Sequence, residues 1–248
     1  MNQDIPTSAE VKSAIFQPLY LQISQLLLER IASGEWPAGT YIPSEASLAE
    51  AYNVSIGTLR KALNELVSNN VVIRYQGKGT VVAAHDSDSA LFRFFNVLRE
   101  NGERTLPLSR VLARHLRTAS EEEAAALGIA PGSKVIHIWR VRDLDGAPAI
   151  LEHVYVDAAL FRGLDREPEI LPNTLYQLYQ QKFACTVANA HEQIKAVNAG
   201  PDEVLHLEAE EGEALLRVYR IARDFQDKPV EYRVSTILTR HHAYFNQL

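Results

Sequence analysis

Apolar and polar positions follow two different periods along this chain, and the change of period divides it. Leu19, Ile23, Leu26, Leu27 and Ile31 recur at helical spacing with Gly34 just past the last of them, which predicts an amphipathic helix. Ser44 follows Pro43 and precedes Glu45, a hydroxyl N-cap with an acid in the first turn, so a short helix opens there and runs to about Tyr52. Asn53 and Val54 break it. Ser55 is a second hydroxyl cap, and Leu59, Ala62, Leu63 and Leu66 form one stripe that turns Gly57, Thr58, Arg60, Lys61 and Asn64 outward. Runs rich in β-branched residues from Val71 to Tyr75 and from Thr80 to Val82 flank Gln76-Gly77-Lys78-Gly79, whose glycines permit positive φ. Three helices followed by a hairpin is the order of a winged helix-turn-helix, in which the second helix of the pair enters the DNA major groove and the hairpin tip reaches a neighbouring groove.

Beyond this module strands dominate. Residues 83–90 are short, polar and without period, and read as a linker. Leu91, Phe94, Phe95 and Leu98 predict one helical stripe, ended by Asn101-Gly102, and Leu106 to Leu116 a strand. Ser120-Glu121-Glu122-Glu123 is a capping box for a helix that Gly128 closes. Lys134 to Arg142 and Ala149 to Val156 flank Asp145-Gly146, an antiparallel hairpin signal. Asn173-Thr174 caps a helix to about Lys182, Cys185 to Ala196 predicts a long strand, Pro201-Asp202 opens a short helix, and Ala214 to Phe225 and Val230 to Thr239 are two further strands. The expected architecture is α+β: a tail at 1–17, a winged helix at 18–82, the linker, and from 91 to 248 a domain built on an antiparallel sheet.

Composition narrows the role of each part. With 248 residues, 46% hydrophobic and 23% charged, the chain has the size and make-up of two ordinary globular domains. Residues 1–84 carry six basic side chains against seven acidic ones, so the first unit is not basic overall. Positive charge is instead concentrated in residues 53–82, where Arg60, Lys61, Arg74 and Lys78 face Glu65 alone. The net charge of −6 resides mainly in the remainder, which excludes a second nucleic-acid surface. Cys185 is the lone cysteine, and neither a leader nor an apolar run of some eighteen residues is present, so no disulfide framework and no membrane are expected and the cytoplasm is the expected location.

Candidate chemistry in the second domain centres on Arg140 and Arg142, two apart on one strand and therefore on one sheet face, with Glu152 on the partner strand. Two guanidinium groups so placed need an anion or a carboxylate between them; a solvent-facing salt-bridge ladder and a ligand site both satisfy that need. Thr174, a hydroxyl at a helix N-terminus, favours a phosphate or carboxylate. The histidines, including His241 and His242, fit no metal-binding spacing, and Cys185 lies in an apolar run that suits a buried, inert thiol. Phosphate-loop, dinucleotide and serine-nucleophile motifs are absent, so no catalytic residue, cofactor or metal is expected.

Five ordered segments in the first third, PLYLQI from Pro18, SGEWPAGTYIPSE from Ser33, LAEAYNVS from Leu48, TLRKAL from Thr58 and RYQGKGTVV from Arg74, resemble the GntR superfamily of bacterial transcription regulators. SKVIHIWRVRDLDGAPAILEHVYV, NTLYQLY and ALLRVYRIARDFQDKPVEYRVS are similar to its HutC-type branch, whose effector module is the UTRA domain with a chorismate-lyase-like fold. The resemblance implies a homodimer that binds double-stranded operator DNA, and a small anionic metabolite as effector. It implies DNA contacts from Ser44, Ser55, Thr58, Arg60, Lys61, Gly77 and Lys78, and effector contacts from Arg140, Arg142, Glu152, Thr174, Tyr176 and Glu231. Two positions where the family usually carries arginine are Ala46 and Ile56 here. The competing expectation is an enzyme of lyase-like fold tethered to DNA by its winged helix; fold alone does not carry chemistry.

Overall fold

The computed structural model describes residues 17–84, 94–166 and 170–246. Three helices, α1 (Leu19–Ala32), α2 (Glu45–Ala51) and α3 (Ile56–Ser68), precede the hairpin of β1 (Val72–Tyr75) and β2 (Gly79–Val82). Ser44 and Ser55 cap α2 and α3 as the sequence predicts, accepting from the backbone N–H groups of Ser47 at 3.2 Å and Thr58 at 3.1 Å; such caps contribute about 1 kcal/mol each. The α3 stripe of Leu59, Ala62, Leu63 and Leu66 is buried against Ile23, Leu27 and Ile31 of α1 and Leu48 of α2. Each of those leucines and isoleucines contributes about 1.5 to 3 kcal/mol by leaving water, which is what seats a helix of thirteen residues rigidly enough to present its other face.

The second unit is a six-stranded antiparallel sheet in the order β4-β5-β6-β9-β8-β7, where β4 is Leu108–Thr118, β5 Lys134–Leu144, β6 Ala147–Asp157, β7 Asn189–Asn198, β8 Ala214–Arg223 and β9 Pro229–Ile237. Helix α4 (Glu121–Leu127) packs on β9 and α6 (Pro201–Leu207) on β6, while α5 (Leu175–Phe183) buries Leu175, Tyr176, Leu178 and Tyr179 in the core on the opposite face. The β5–β6 hairpin closes through Asp145 (φ 53°) and Gly146 (φ 84°), both positive as a two-residue type I′ turn requires. Ser120 and Glu123 form the expected capping box and Gly128 ends α4 in the left-handed region.

Two expectations need correction. Leu98 lies in a short strand, β3 (Val97–Arg99), laddered to β10 (His242–Tyr244); Leu91 falls outside the described residues, as do 1–16 of the tail and 85–90 of the linker. A four-residue helical stripe is weak evidence, and a ladder partner supplied from the far end of the chain overrides it. The strand expected from Cys185 begins only at Asn189: Cys185 and Val187 are buried in the core beside α5, and Ala188 N–H donates to the Arg223 carbonyl at 2.8 Å just ahead of the ladder.

Candidate nucleic-acid interface and ligand pocket

On α3, Ile56, Gly57, Arg60, Lys61 and Asn64 are exposed, Thr58 is half-buried, and the wing places Gly77 (φ 72°) and Lys78 at its exposed tip. Gly79 at φ 120° passes so close to Tyr41 that a Cβ would sit 3.3 Å from the ring, which fixes the root of the wing. The hydroxyls of Ser55 and Thr58 bond each other at 2.9 Å and that of Ser44 bonds Ser47 at 2.8 Å, so these four side chains are held in the caps. Arg60 Nε donates to Glu45 Oε2 at 2.7 Å. The surface is small, polar and cationic, suited to phosphate and base-edge contacts.

The second site lies on the sheet face that α5 covers. Residue alternation and register place Arg140 and Arg142 of β5, Glu152 of β6, Glu231 and Arg233 of β9 and Arg220 of β8 on that one face, above the apolar half formed by Ile136, Ile138, Val154, Val156 and Ala222. Arg140 Nε donates to Glu152 Oε2 at 2.6 Å, and Arg233 Nη1 lies 3.4 Å from Glu152 Oε1. Glu231, wholly buried, receives Arg233 in bidentate fashion at 2.9 and 2.8 Å and the hydroxyls of Tyr176 at 3.1 Å and Tyr179 at 2.8 Å. Arg220 pairs with Glu192 and donates to the carbonyl of Phe94.

These residues open into a pocket walled by Phe94 and Phe95, by Arg140, Arg142, Arg220 and Arg233, and by Asn173, Thr174, Leu175 and Tyr176. Arg142 differs from the other arginines. It is 2% exposed, lies against the Phe95 ring at 4.7 Å, and is 3.7 Å from Glu152 through Nη1, yet its Nε and Nη2 have no hydrogen-bond partner among the described residues. Trp139 Nε1, Asp143 Oδ1 and Arg223 Nε are also unpartnered, but singly, and none lines this pocket.

The electrostatics follow from burial set against neighbours. Burial pulls Arg142 down to about 9, opposed by Glu152 and reinforced by the cations of Arg140, Arg233 and Arg220, and it remains charged at neutral pH. Burial alone would push the Glu152 carboxyl up, but Arg140, Arg233 and Arg142 together hold it well below the usual carboxylate range. Tyr176 is pushed up to about 12 by burial and by Glu231, so it stays a hydrogen-bond donor. Thr174 occupies the N-cap of α5 without a side-chain cap bond, leaving its hydroxyl at the pocket wall unengaged by the helix.

Of the expected effector residues, Arg140, Arg142, Thr174 and Tyr176 line the pocket, whereas Glu152 and Glu231 lie behind it and fix the arginines. Sequence reasoning missed Arg220 and Arg233, although Glu231 and Arg233 repeat the two-residue spacing that singled out Arg140 and Arg142. Phe94 and Phe95 were assigned to a core stripe; only tertiary folding brings them to the pocket. His242 is buried with Nε2 3.1 Å from Asp145 Oδ2, a structural tie, and no cluster of three or more potential metal ligands occurs among the described residues.

Two family models match the chain: bacterial regulatory proteins of the gntR family over residues 19–82, and the UTRA domain over 103–243. The chain is 34% identical over 220 residues to the protein named "Probable fructoselysine utilization operon transcriptional repressor" of Escherichia coli (strain K12), covering 86% of this chain and 88% of the relative. It is 31% identical over 204 residues to a histidine utilization repressor of Pseudomonas putida, covering 82% and 81%. The crystal structure of PhnF from Mycobacterium smegmatis shares the fold at a TM-score of 0.55 and 24% identity, over 91% of this chain and 98% of that one.

Proposed function

Since the chain belongs to the gntR family of bacterial regulatory proteins, in the HutC-type branch that carries a UTRA domain, we propose that a small anionic metabolite in the arginine pocket releases it from operator DNA. Its relatives are named transcriptional repressors, not enzymes, so the chain is a DNA-binding regulator and the tethered-enzyme alternative is set aside. Among the described residues no helix is long and apolar enough to cross a membrane. The proposed working form is a cytoplasmic homodimer whose two winged helices grip the half-sites of a palindrome, since two-fold operator symmetry mirrors that of a dimer.

One observation carries the ligand assignment: Arg142 keeps two buried donors unpartnered where the pocket opens. A buried unmet donor costs about 1 to 3 kcal/mol, more when charged, and an anion oxygen placed there removes that cost while gaining charge-assisted hydrogen bonds. The hydroxyls of Tyr176 and Tyr179, Arg140 and Arg233 are already pinned by Glu152 and Glu231, so little ordering of these groups is left for the ligand to impose. Release from DNA then requires that the ligand bind two dimer conformations unequally, a coupling of about 1 to 3 kcal/mol in typical cases.

The test is a thermal-shift screen of phosphorylated and carboxylated metabolites, followed by calorimetry on hits and operator binding with and without them. Support would be an anion that raises the melting temperature and weakens operator binding. Hits confined to neutral or cationic compounds would overturn the ligand class.

A further inference from the structure

Glu45 is an acid set into the cationic surface formed by α3 and the wing. It opens α2, is partly exposed, and its two oxygens take cations from two other elements: Arg60 Nε of α3 at 2.7 Å and Arg74 Nη2 of β1 at 3.3 Å. Arg74 Nη1 in turn donates to Asn64 Oδ1 of α3 at 2.9 Å, so the carboxylate joins α2, α3 and the wing. A carboxylate facing phosphates is unfavourable for binding DNA of any sequence, and its presence here calls for a return of another kind.

We infer that Glu45 is a specificity-determining positioning residue, which orients Arg60 so that its guanidinium presents its terminal edge to a guanine. The reading rests on α3 as the recognition helix. Arginine has a planar head with five donors in a fixed fork. With Nε engaged by Glu45, the plane is set, and Nη1 and Nη2 have no hydrogen bond within the protein among the described residues, on a side chain that is 63% exposed. That free pair matches the O6 and N7 acceptors of guanine in the major groove. An unsupported arginine at this exposure would lose rotamer freedom on reading a base and would find the nearest phosphate just as readily; a side chain ordered beforehand loses less and chooses better. The neighbouring positions reinforce the dependence on Arg60, because Ala46 and Ile56 are exposed and uncharged, leaving Lys61 as the other cation on this stretch of α3.

Binding of the full chain to random duplex, and selection of its preferred half-site from a random library, test this in wild type, Arg60→Ala, Glu45→Ala and Glu45→Gln. Arg60→Ala should abolish a guanine preference at one operator position. Glu45→Ala should weaken that same preference by about threefold to tenfold and leave other positions alone, while affinity for random duplex rises by about threefold and the salt slope steepens by about one. Glu45→Gln, which keeps an acceptor for Nε, should retain more of the preference than Glu45→Ala. Opposite signs for affinity and discrimination separate positioning from damage, since a poorly folded head loses both. A Glu45→Ala profile identical to wild type, with Arg60→Ala altered, overturns the inference about Glu45; an unaltered profile in Arg60→Ala overturns the recognition-helix reading beneath it.

Discussion

Arg140 and Glu152 oppose each other across the β5–β6 ladder, Nε donating to Oε2 at 2.6 Å, with side chains 2% and 4% exposed. Because the same carboxylate also faces Arg142 and Arg233, removing it leaves Arg140 and Arg142 buried without a carboxylate and Arg233 with Glu231 alone. Glu152→Ala should destabilise the second unit by about 3 to 5 kcal/mol, read as a fall in the urea midpoint. An effect below about 1 kcal/mol would mean that solvent already screens the cluster.

Acid tests the same residue without removing it. The Glu152 carboxyl lies below its ordinary 4.5 in the folded chain, so its stabilising contribution is complete above that value and is lost as pH falls toward the folded-state value. Between about pH 5 and about pH 3 the wild-type urea midpoint should drop further than that of Glu152→Gln, which has no proton to take up. Parallel curves would place the acid sensitivity elsewhere.

Arg142 should behave in the opposite way to its neighbour. Replacing a buried cation that leaves two donors unmet with an apolar side chain of similar length, Arg142→Met, should raise the stability of the ligand-free protein by about 1 to 3 kcal/mol. The same change should weaken effector binding by about one to two orders of magnitude and leave operator affinity without ligand close to wild type. A variant both less stable and unaltered in ligand affinity would return Arg142 to a purely structural role.

Lys61, exposed beside Arg60 on α3, carries charge without a fork geometry. Lys61→Ala should weaken binding to all sequences alike and flatten the salt dependence by about one counterion. Anisotropy titrations on selected and random duplexes across a salt series separate this uniform loss from a base-specific one.

Ile56 is 46% exposed at the first position of α3, an apolar side chain in a cationic surface. Ile56→Arg should raise affinity for random duplex and steepen the salt slope by about one, through an added phosphate contact. If neither changes, the start of α3 points away from DNA.

The winged helix was legible because its signals are local. Ser55 and the four-residue stripe of α3 set cap and core face within one helix, and Asp145-Gly146 specified a turn by its φ requirements alone. The pocket was half legible for the same reason: Arg140 and Arg142 announce a shared face on one strand, but the approach of Arg220 and Arg233 depends on strand order, which no single segment encodes. Leu98 misled because β3 exists only once β10 supplies its partner, well over a hundred residues later.

Phe94 and Phe95 both wall the ligand pocket and follow Val82, the last residue of the wing, by about a dozen positions. Immediately after them β3 ladders to β10, and Arg99 at its end, with His242, clasps Asp145 at the tip of the hairpin that carries Arg140 and Arg142. An anion in the proposed site would therefore touch the first described residues that follow the winged helix. On the proposed function, coupling to the DNA-binding unit would then need no long relay through the sheet, because the wall of the pocket lies close in sequence to the wing.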